Sequence, residues 1–436
     1  MSIIRVGIFA LLASATLPGT AVAAVQAGTP AATVIAIPPL TSPDSGSKGN
    51  QSLAIAWQAT QLIETDLRQT SELMPLQPNQ KDYYSYPEVT APTFSKWRDR
   101  GAKALITGFV QQRSDGRLTV GCYVYDVEKG RELGRIGFVA TPSDLRRAAH
   151  KCSGLAYEKI TGAPGMFDTR IAYVAETGPA EARVKRIAIM DSDGYNHSYV
   201  TSGGTGVLTP RLSPNASKLA YVSFQGGVPQ VRVIDLASNQ QHPLLSGNAM
   251  SFAPRFSPDG SKIVFSMMLG PNTDIYVVGA NGGPARRLTT SPGIDTDPSF
   301  SPDGSKIVFE SDRSGTQQLY LMNSDGSDER RITFSIAAYS TPEWSPDGKS
   351  IAFTWRSGDT RRIGIISPDG TGERLLTNGP GDEAPSWAAS SQELVFQHAE
   401  ANGRPGIYRV SLDGSAPRKM TIPQDGSDPD WSGAVD

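Results

Sequence analysis

The ten residues FSPDGSKIVF at positions 256–265 recur without any change at positions 300–309, 44 residues further along the chain. Related stretches stand at positions 212–221, 344–353 and 387–396. A proline opens each copy, and its nearly constant spacing is typical of a repeat architecture. These prolines are Pro210, Pro254, Pro298, Pro342, Pro385 and Pro429, in steps of 44, 44, 44, 43 and 44 residues.

Each repeat predicts four short strands. In the copy that begins at Pro254, residues 254–257 predict a first strand, and Ser-Pro-Asp-Gly then predicts a tight turn. Residues 262–265 predict a β-branched second strand and residues 274–279 a third, and RRLT predicts a fourth after a Gly-rich turn. Four antiparallel strands in each unit of this length indicate a β-propeller blade.

The two ends of the repeat region complement each other. The unit that begins at Asp168 lacks a first strand, whereas residues 429–432 form a first strand with no unit after it. We expect this spare strand to complete the blade begun at Asp168, because an open sheet edge would promote aggregation. The sequence therefore predicts a six-bladed β-propeller over residues 165–436.

The first 23 residues have the pattern of a secretory signal peptide. Arg5 supplies a basic start, residues 6–17 are apolar, and Ala21-Val22-Ala23 matches a cleavage site. No other stretch is long and apolar enough to span a membrane, so we expect an exported protein without a membrane span. The net charge of −2 does not favour binding to nucleic acid.

Residues 33–162 predict a small α/β domain, and residues 24–32 a flexible segment before it. The periodicity indicates a strand over residues 33–40, a helix over 51–73, a short helix over 95–100, and three strands within 102–140. Thr141 and Pro142 then predict the start of a helix that runs to about Thr161. The expected fold is thus a small N-terminal α/β domain followed by an all-β six-bladed β-propeller.

Cys122 and Cys152 are the two cysteines of the chain. An even number in an exported protein permits one disulfide, and the predicted strand and helix that carry them make the pairing geometrically reasonable. Two buried free thiols are the alternative.

Four stretches stand out in the N-terminal part of the chain: WRDRGAKALITGFV (residues 97–110), DGRLTVGCYVYDV (115–127), RRAAHKCSGLAYEKITG (146–162) and FDTRIAYVAE (167–176). Together with the order of the domains, they resemble the TolB family, the periplasmic component of the Tol-Pal system of Gram-negative bacteria. The resemblance implies a non-enzymatic periplasmic protein that supports outer-membrane integrity and constriction during cell division. It implies binding to the lipoprotein Pal through the propeller and to TolA through the N-terminal segment, with other outer-membrane or periplasmic proteins as further partners.

The connections from fourth to first strands should converge around one mouth of the propeller channel, since first strands line the channel and fourth strands lie outermost. In the family, Pal contacts are concentrated on these connections. Family members commonly have a histidine where this chain has Met250. The matching positions are Met250, Ala253, Thr296 and Asp297, to which the same geometry adds Ser340, Thr341, Asp382, Glu383, Ser427 and Asp428.

Acidic residues are frequent among these connections, and we expect an acidic mouth that meets a basic patch, a cation or a peptide amine. The alternative is that they are ordinary soluble loop residues. Arginines of the second-to-third strand connections should surround the mouth at a larger radius. The acidic residues are Asp295, Asp297, Asp382, Glu383, Asp425 and Asp428, and the arginines are Arg313, Arg356, Arg361, Arg362 and Arg404.

The segment expected to bind TolA is short, uncharged and rich in small residues, which suits strand addition to a partner. A remnant of signal cleavage without a role is the alternative. The residues are Val25, Gln26, Ala27, Gly28 and Thr29.

The main alternative function is that of an exported SPDG-type propeller that binds or hydrolyses peptides or glycans. The sequence contains no G-x-S-x-G nucleophile motif, which a related serine hydrolase would need. The four histidines do not share a phase of the repeat, so the sequence predicts no metal site, no cofactor and no catalytic residue. They are His150, His197, His242 and His398.

Overall fold

The computed structural model describes residues 32–44, 46–79, 82–179 and 182–434. The predicted signal peptide and the segment expected to bind TolA lie outside the described residues. Among the described residues, no helix combines the length and the apolar character that crossing a membrane requires.

The N-terminal α/β domain contains one five-stranded sheet in the order β2-β1-β3-β4-β5. β1 runs parallel to β2 and β3, whereas β3, β4 and β5 form antiparallel pairs. Helices α1 and α3 pack on this sheet through a shared apolar core. The elements are β1 (Thr33–Ala36), α1 (Gly46–Arg68), β2 (Leu73–Pro75), a 3₁₀ turn (Tyr86–Val89), α2 (Phe94–Arg98), β3 (Ala104–Gln112), β4 (Leu118–Asp126), β5 (Arg131–Ala140), a second 3₁₀ turn (Pro142–Asp144) and α3 (Leu145–Thr161).

The predicted helix over residues 51–73 is wrong at its end. Helix α1 stops at Arg68, and the chain re-enters the sheet as β2 from Leu73. The Thr70 hydroxyl donates to the Leu67 carbonyl, which satisfies an acceptor at the helix end. The Thr33 N–H donates to the Glu72 carbonyl at 2.7 Å, so pairing with β1 replaces further helical bonds.

Cys122 on β4 and Cys152 on α3 form a disulfide, with their Cα atoms 5.9 Å apart. Both cysteines are buried in the core between the helices and the sheet. The disulfide therefore ties helix α3, the last element of the α/β domain, to strand β4, which lies next to the edge strand β5.

The propeller consists of six four-stranded antiparallel sheets in sequence order, and the first strands of neighbouring blades contact one another around the central channel. Blade 1 contains β6 (Thr169–Thr177), β7 (Val184–Asp191) and β8 (Ser198–Tyr199); blade 2 contains β9 (Val207–Leu212), β10 (Lys218–Ser223), β11 (Gln230–Asp235) and β12 (Gln241–Pro243); blade 3 contains β13 (Met250–Phe256), β14 (Lys262–Leu269), β15 (Asn272–Gly279) and β16 (Arg286–Arg287).

The remaining blades repeat the same arrangement, and the last strand returns to blade 1. Blade 4 contains β17 (Asp295–Phe300), β18 (Lys306–Ser311), β19 (Gln318–Asn323) and β20 (Arg330–Arg331); blade 5 contains β21 (Ala338–Trp344), β22 (Ile351–Ser357), β23 (Thr360–Ile366) and β24 (Arg374–Leu375); blade 6 contains β25 (Asp382–Trp387), β26 (Glu393–Ala399), β27 (Pro405–Ser411) and β28 (Arg418–Lys419); the last strand is β29 (Asp425–Ala434).

Strand β29 closes the ring. It pairs antiparallel with β6, with Trp431 opposite Ile171, and so supplies the innermost strand of blade 1. The Trp431 indole N–H donates to the Thr169 hydroxyl at 2.8 Å. This pairing confirms the prediction that the C-terminal strand completes the blade begun at Asp168.

The repeated motif also explains the core between the blades. The phenylalanine that ends each copy is almost fully buried in blades 3 to 6, at Phe265, Phe309, Phe353 and Phe396. In blade 5 the facing position is Gly364, where a Cβ atom would lie 2.5 Å from the Phe353 ring. These phenylalanines also share a core with the preceding blade, as Phe309 does with Val264 of blade 3 and Phe353 with Val308 of blade 4, so the repeated motif supplies the packing between blades.

The α/β domain packs against the last blade with a contact that the blades also use among themselves. The first arginine of a fourth strand donates to a main-chain carbonyl of the next blade, as Arg330 does to Pro368 at 3.0 Å. Arg418, on the fourth strand of blade 6, donates instead to the carbonyl of Gln69 in the α/β domain at 3.4 Å. At blade 6, the α/β domain therefore supplies the carbonyl acceptor that a turn of the next blade supplies to Arg330 in blade 4.

Candidate functional site

Every first strand has a register shift at its proline, on the side of the channel mouth. Proline donates no main-chain hydrogen bond, so a β-bulge interrupts the ladder at this position. The residue before each proline has a positive φ between 45° and 55°, although none of the six is glycine. We call these residues the bulge ring: Thr209, Ala253, Asp297, Thr341, Ala384 and Asp428.

The residues predicted to contact Pal lie in the first strands themselves, not in loops, because these strands extend beyond the prolines towards the mouth. Four of them are buried, namely Ala253, Thr296, Asp382 and Ser427. The other six are half-exposed: Met250, Asp297, Ser340, Thr341, Glu383 and Asp428.

The acidic residues at the mouth are largely ion-paired, which corrects the expectation of an acidic centre inside a separate ring of arginines. Arg313 binds Asp295 at 2.8 Å, and Arg361 binds Glu383 at 2.9 Å. These arginines come from the second-to-third strand hairpins and reach inward to the first strands. Asp297 differs from these two acids, because its carboxylate forms no ion pair within the part of the chain that the structure describes.

A second ring of side chains follows the prolines deeper in the channel. Arg255 binds Asp430 at 3.0 Å and Glu343 at 2.5 Å, and Arg211 lies 3.8 Å from Asp430. Burial raises the pKa of Asp430 to about 6, although the two arginines oppose this rise. With two arginines, two acids and two serines, this ring is close to neutral, and Arg255 of blade 3 joins the alternate blades 1 and 5 across the channel. We call it the channel ring: Arg211, Arg255, Ser299, Glu343, Ser386 and Asp430.

Glu310 on β18 lies buried between the two bulge-ring residues Asp297 and Thr341. It accepts a hydrogen bond from the Thr296 hydroxyl at 2.6 Å and another from the Thr341 N–H at 3.2 Å. Burial, and then repulsion from Asp297, raise the pKa of Glu310 to about 8. Burial also raises the pKa of Asp297, which Arg211 and Arg255 oppose. Glu310 is therefore mostly protonated at neutral pH and supports the mouth without adding full negative charge.

A separate titratable cluster lies between the α/β domain and blade 1. The His150 Nδ1 atom is 2.8 Å from Asp66 on α1, and its Nε2 atom is 3.2 Å from Asp193 in the turn after β7. Burial alone would lower the pKa of His150, but Asp193 and Asp66 outweigh it and raise the pKa to about 10. The Arg146 guanidinium also binds Asp193.

The three ligand atoms of Asp66, His150 and Asp193 lie within 4.8 Å of one another, a spacing that would suit a metal ion. The imidazolium and the Arg146 guanidinium already balance both carboxylates, so the cluster is better described as an ion-pair network between the domains. Sequence reasoning missed this network, because Asp66 is 84 residues away from His150.

The sequence and the fold of the chain can be compared with those of known proteins. Residues 157–435 match the family model of the TolB beta propeller domain, and residues 22–133 match that of the TolB amino-terminal domain. These matches confirm the predicted family and the predicted fold.

Individual relatives agree with this result. Over 205 residues the chain is 47% identical to the Tol-Pal system protein TolB of Zymomonas mobilis, covering 47% of this chain and 45% of the relative. It is 46% identical over 205 residues to Tol-Pal system protein TolB 1 of Novosphingobium aromaticivorans, covering 47% and 44%. These alignments span less than half the length of either relative. The crystal structure of TolB from Acinetobacter baumannii has a TM-score of 0.78 and 30% identity, covering 92% of this chain and 97% of that one. The chain therefore belongs to the TolB family of Tol-Pal system proteins.

Proposed function

We propose that this protein is a periplasmic, non-enzymatic scaffold of the Tol-Pal system. It binds the peptidoglycan-associated lipoprotein Pal at the channel mouth of the propeller and TolA through residues 25–29. By joining these partners it supports outer-membrane integrity and constriction during cell division. Family membership and the predicted signal peptide support this role.

The bulge ring is the observation that carries the Pal proposal. Six strained main-chain positions are held at one end of the channel by pairing with their second strands and by contacts beneath them. A surface that is rigid before binding loses little conformational entropy when a partner docks. Asp297 adds a half-exposed acid without an ion pair among the described residues, which suits a basic group of the partner.

Titration calorimetry with the soluble domain of Pal tests this site. We expect the wild-type protein to bind, and Asp297→Asn to bind more weakly and with a shallower dependence on salt, because a charge pair is lost. Asp325→Asn, in the exposed turn between β19 and β20 at the other end of blade 4, is the matched control. Absence of Pal binding by the wild type, or equal affinity of Asp297→Asn, would contradict the proposal.

The TolA part is tested independently by a variant that lacks residues 24–31. This variant should lose binding to the soluble domain of TolA and keep its affinity for Pal. If the variant still bound TolA, the N-terminal segment would not be the binding site for TolA.

The same preparations can be incubated with peptide and glycan libraries. We expect no turnover, since the sequence lacks the G-x-S-x-G motif. Turnover that copurifies with the chain would favour the alternative of a hydrolytic propeller.

A further inference from the structure

Exposed large apolar side chains are unevenly distributed on the mouth face of the propeller. They lie on the loops of blades 2 to 4 and on the connection into blade 5, where Ile336 is 98% and Phe334 is 74% exposed. Scattered exposed apolar residues are normal, but a group on one face marks an interaction site. We call this group the apolar arc: Phe224, Met268, Leu269, Ile294, Phe334 and Ile336.

Hydrogen bonds hold the loops of the apolar arc next to one another. The Asn272 side-chain amide, in the hairpin after Leu269, donates to the Ser291 carbonyl of the connection into blade 4 at 2.9 Å. The Gln318 side-chain amide of blade 4 donates to the Ala337 carbonyl of the connection into blade 5 at 2.8 Å. These hydrogen bonds therefore fix the positions of neighbouring loops of the arc relative to one another.

A cavity of about 300 Å³ opens within this arc. Ile294 and Ala338 contribute apolar walls, and the polar walls come from Asp312, Thr316, Gln317 and Arg356. An apolar side chain of a partner could enter such a cavity, which is how anchor residues gain affinity at interfaces.

The apolar arc is continuous with the residues proposed to face Pal. Met268 is the cross-strand neighbour of the half-exposed Met250. Ile294 and Ile336 lead directly into the first strands that carry Asp297 and Thr341. The arc and the bulge ring therefore border one another on the same face.

The corresponding loops of blades 6 and 1 are charged instead. Arg404 and Glu400 lie in the hairpin of blade 6, and Arg183 follows the hairpin of blade 1 and binds Asp425 at 2.6 Å. On the mouth face, the described loops of blades 6 and 1 thus expose charged rather than large apolar side chains, whereas the other side combines the apolar arc with the ion pair of Arg313 and Asp295.

Resting on the proposed function, we infer that Pal docks off the propeller axis. An apolar strip of its folded domain covers the apolar arc, while polar groups at its edge meet the charged side chains that border the arc, such as Arg313 and Arg356. Apolar contacts at the centre of an interface supply most of the affinity, and charged contacts mainly set the orientation and the association rate.

Leu269→Ser and Ile336→Ser, each titrated calorimetrically with the soluble Pal domain, test this inference. We expect each variant to weaken binding about tenfold or more and to reduce the negative heat-capacity change of binding. Leu375→Ser is the matched control, because Leu375 is also an exposed leucine but lies on the outermost strand β24. Unchanged melting curves would show that all three variants fold.

The outcomes separate this inference from the proposed function. If the wild type binds Pal and both arc variants bind equally well, the off-axis docking is wrong and the proposed function stands. If the wild type does not bind Pal, both fail. If the arc variants keep their Pal affinity but lose self-association in sedimentation, the arc contacts a second copy of this chain, which also overturns the inference.

Discussion

Single carboxyl groups determine the charge state beneath the mouth. Glu310 is buried next to Asp297, and burial together with the negative charge of Asp297 disfavours ionisation of Glu310. The hydroxyl of Thr296 and the N–H of Thr341 both donate to Glu310, and these two hydrogen bonds offset only part of the cost of ionising its carboxyl group. The stability of the mouth should therefore depend on pH through this residue.

Glu310→Gln should make the stability of the protein less dependent on pH. The pKa of Glu310 rises from 4.5 to about 8 on folding, so the folded state holds a proton that the unfolded state has released between these values. Stability therefore falls as the pH rises through this window, and the glutamine variant avoids this loss, which is on the order of a few kcal/mol. Urea unfolding at about pH 5 and about pH 9 measures the difference.

Glu128→Gln is the control for this prediction, because Glu128 is an exposed carboxylate of the α/β domain. It should retain the pH dependence of the wild type. An equally steep loss of stability in Glu310→Gln would show that Glu310 does not hold the proton.

At the scale of the strand, each position of the bulge ring is a residue with a left-handed backbone conformation. It is followed by a proline, which has no main-chain N–H to donate. A non-glycine residue in this conformation costs roughly 1–2 kcal/mol. Pairing on both sides of the bulge maintains the conformation, as Glu383 and Ser386 do around Ala384 in β25. Strain of this kind persists where the surrounding structure determines it, often at functional sites.

Ala384→Gly should therefore stabilise the protein, by about 0.5–1 kcal/mol, since glycine adopts positive φ without a steric penalty. Ala352→Gly, at a buried position of the regular strand β22, should instead destabilise it by about 1 kcal/mol or more. Equilibrium unfolding in guanidinium measures both changes. A loss of stability in Ala384→Gly would mean that the bulge is not strained.

The disulfide acts at the level of the elements it joins, strand β4 and helix α3. It closes a loop of 30 residues in the unfolded chain, for which a stabilisation of about 3.5 kcal/mol is expected. Replacing Cys122 and Cys152 together by alanine should lower the melting temperature, and a reductant should lower that of the wild type alone. Equal melting of the oxidised and reduced wild type would contradict this expectation.

At the scale of the whole molecule, two arrangements join distant parts of the chain. Strand β29 pairs with β6, and the α/β domain packs on blades 6 and 1 through Arg418 and the cluster around His150. Met166 and Phe167, in the link between the domains, belong to one core that includes residues of both. The α/β domain therefore covers the seam at which the ring closes.

Removing residues 425–436 should destabilise the propeller severely, because blade 1 would lose its innermost strand and two blades would lose their contact. Removing only Val435 and Asp436, which leaves β29 intact, is the control. Calorimetric melting should show a large drop for the longer deletion alone. Wild-type melting after the longer deletion would refute closure by β29.

His150→Gln should destabilise the protein most below about pH 6.5. The raised pKa of His150 contributes stability that is fully present below the unfolded pKa of 6.5 and is lost as the pH rises through about 10. The difference between variant and wild type should therefore shrink from neutral to alkaline pH in urea unfolding. His242→Gln, on the outermost strand of blade 2, should show no such convergence.

Local and periodic features were readable from the sequence. The 44-residue spacing of the prolines, the SPDG turns and the recurring phenylalanines predicted six blades, closure by the C-terminal strand and the position of the channel mouth. These features are encoded locally, because turn residues and the alternation of buried and exposed side chains depend on a few neighbouring positions. The same pattern recurs in every repeat.

Side-chain contacts between strands, between blades and between the domains were decided only by the tertiary structure. The inward reach of Arg313 and Arg361, the channel ring, and the approach of Asp66 and Asp193 to His150 depend on side chains that no local pattern relates. The end of helix α1 at Arg68 likewise depends on β1, which competes for the same main-chain groups. Such pairings follow from the relative placement of elements in space, where burial makes an unpaired charge or an unbonded main-chain group too costly to leave alone.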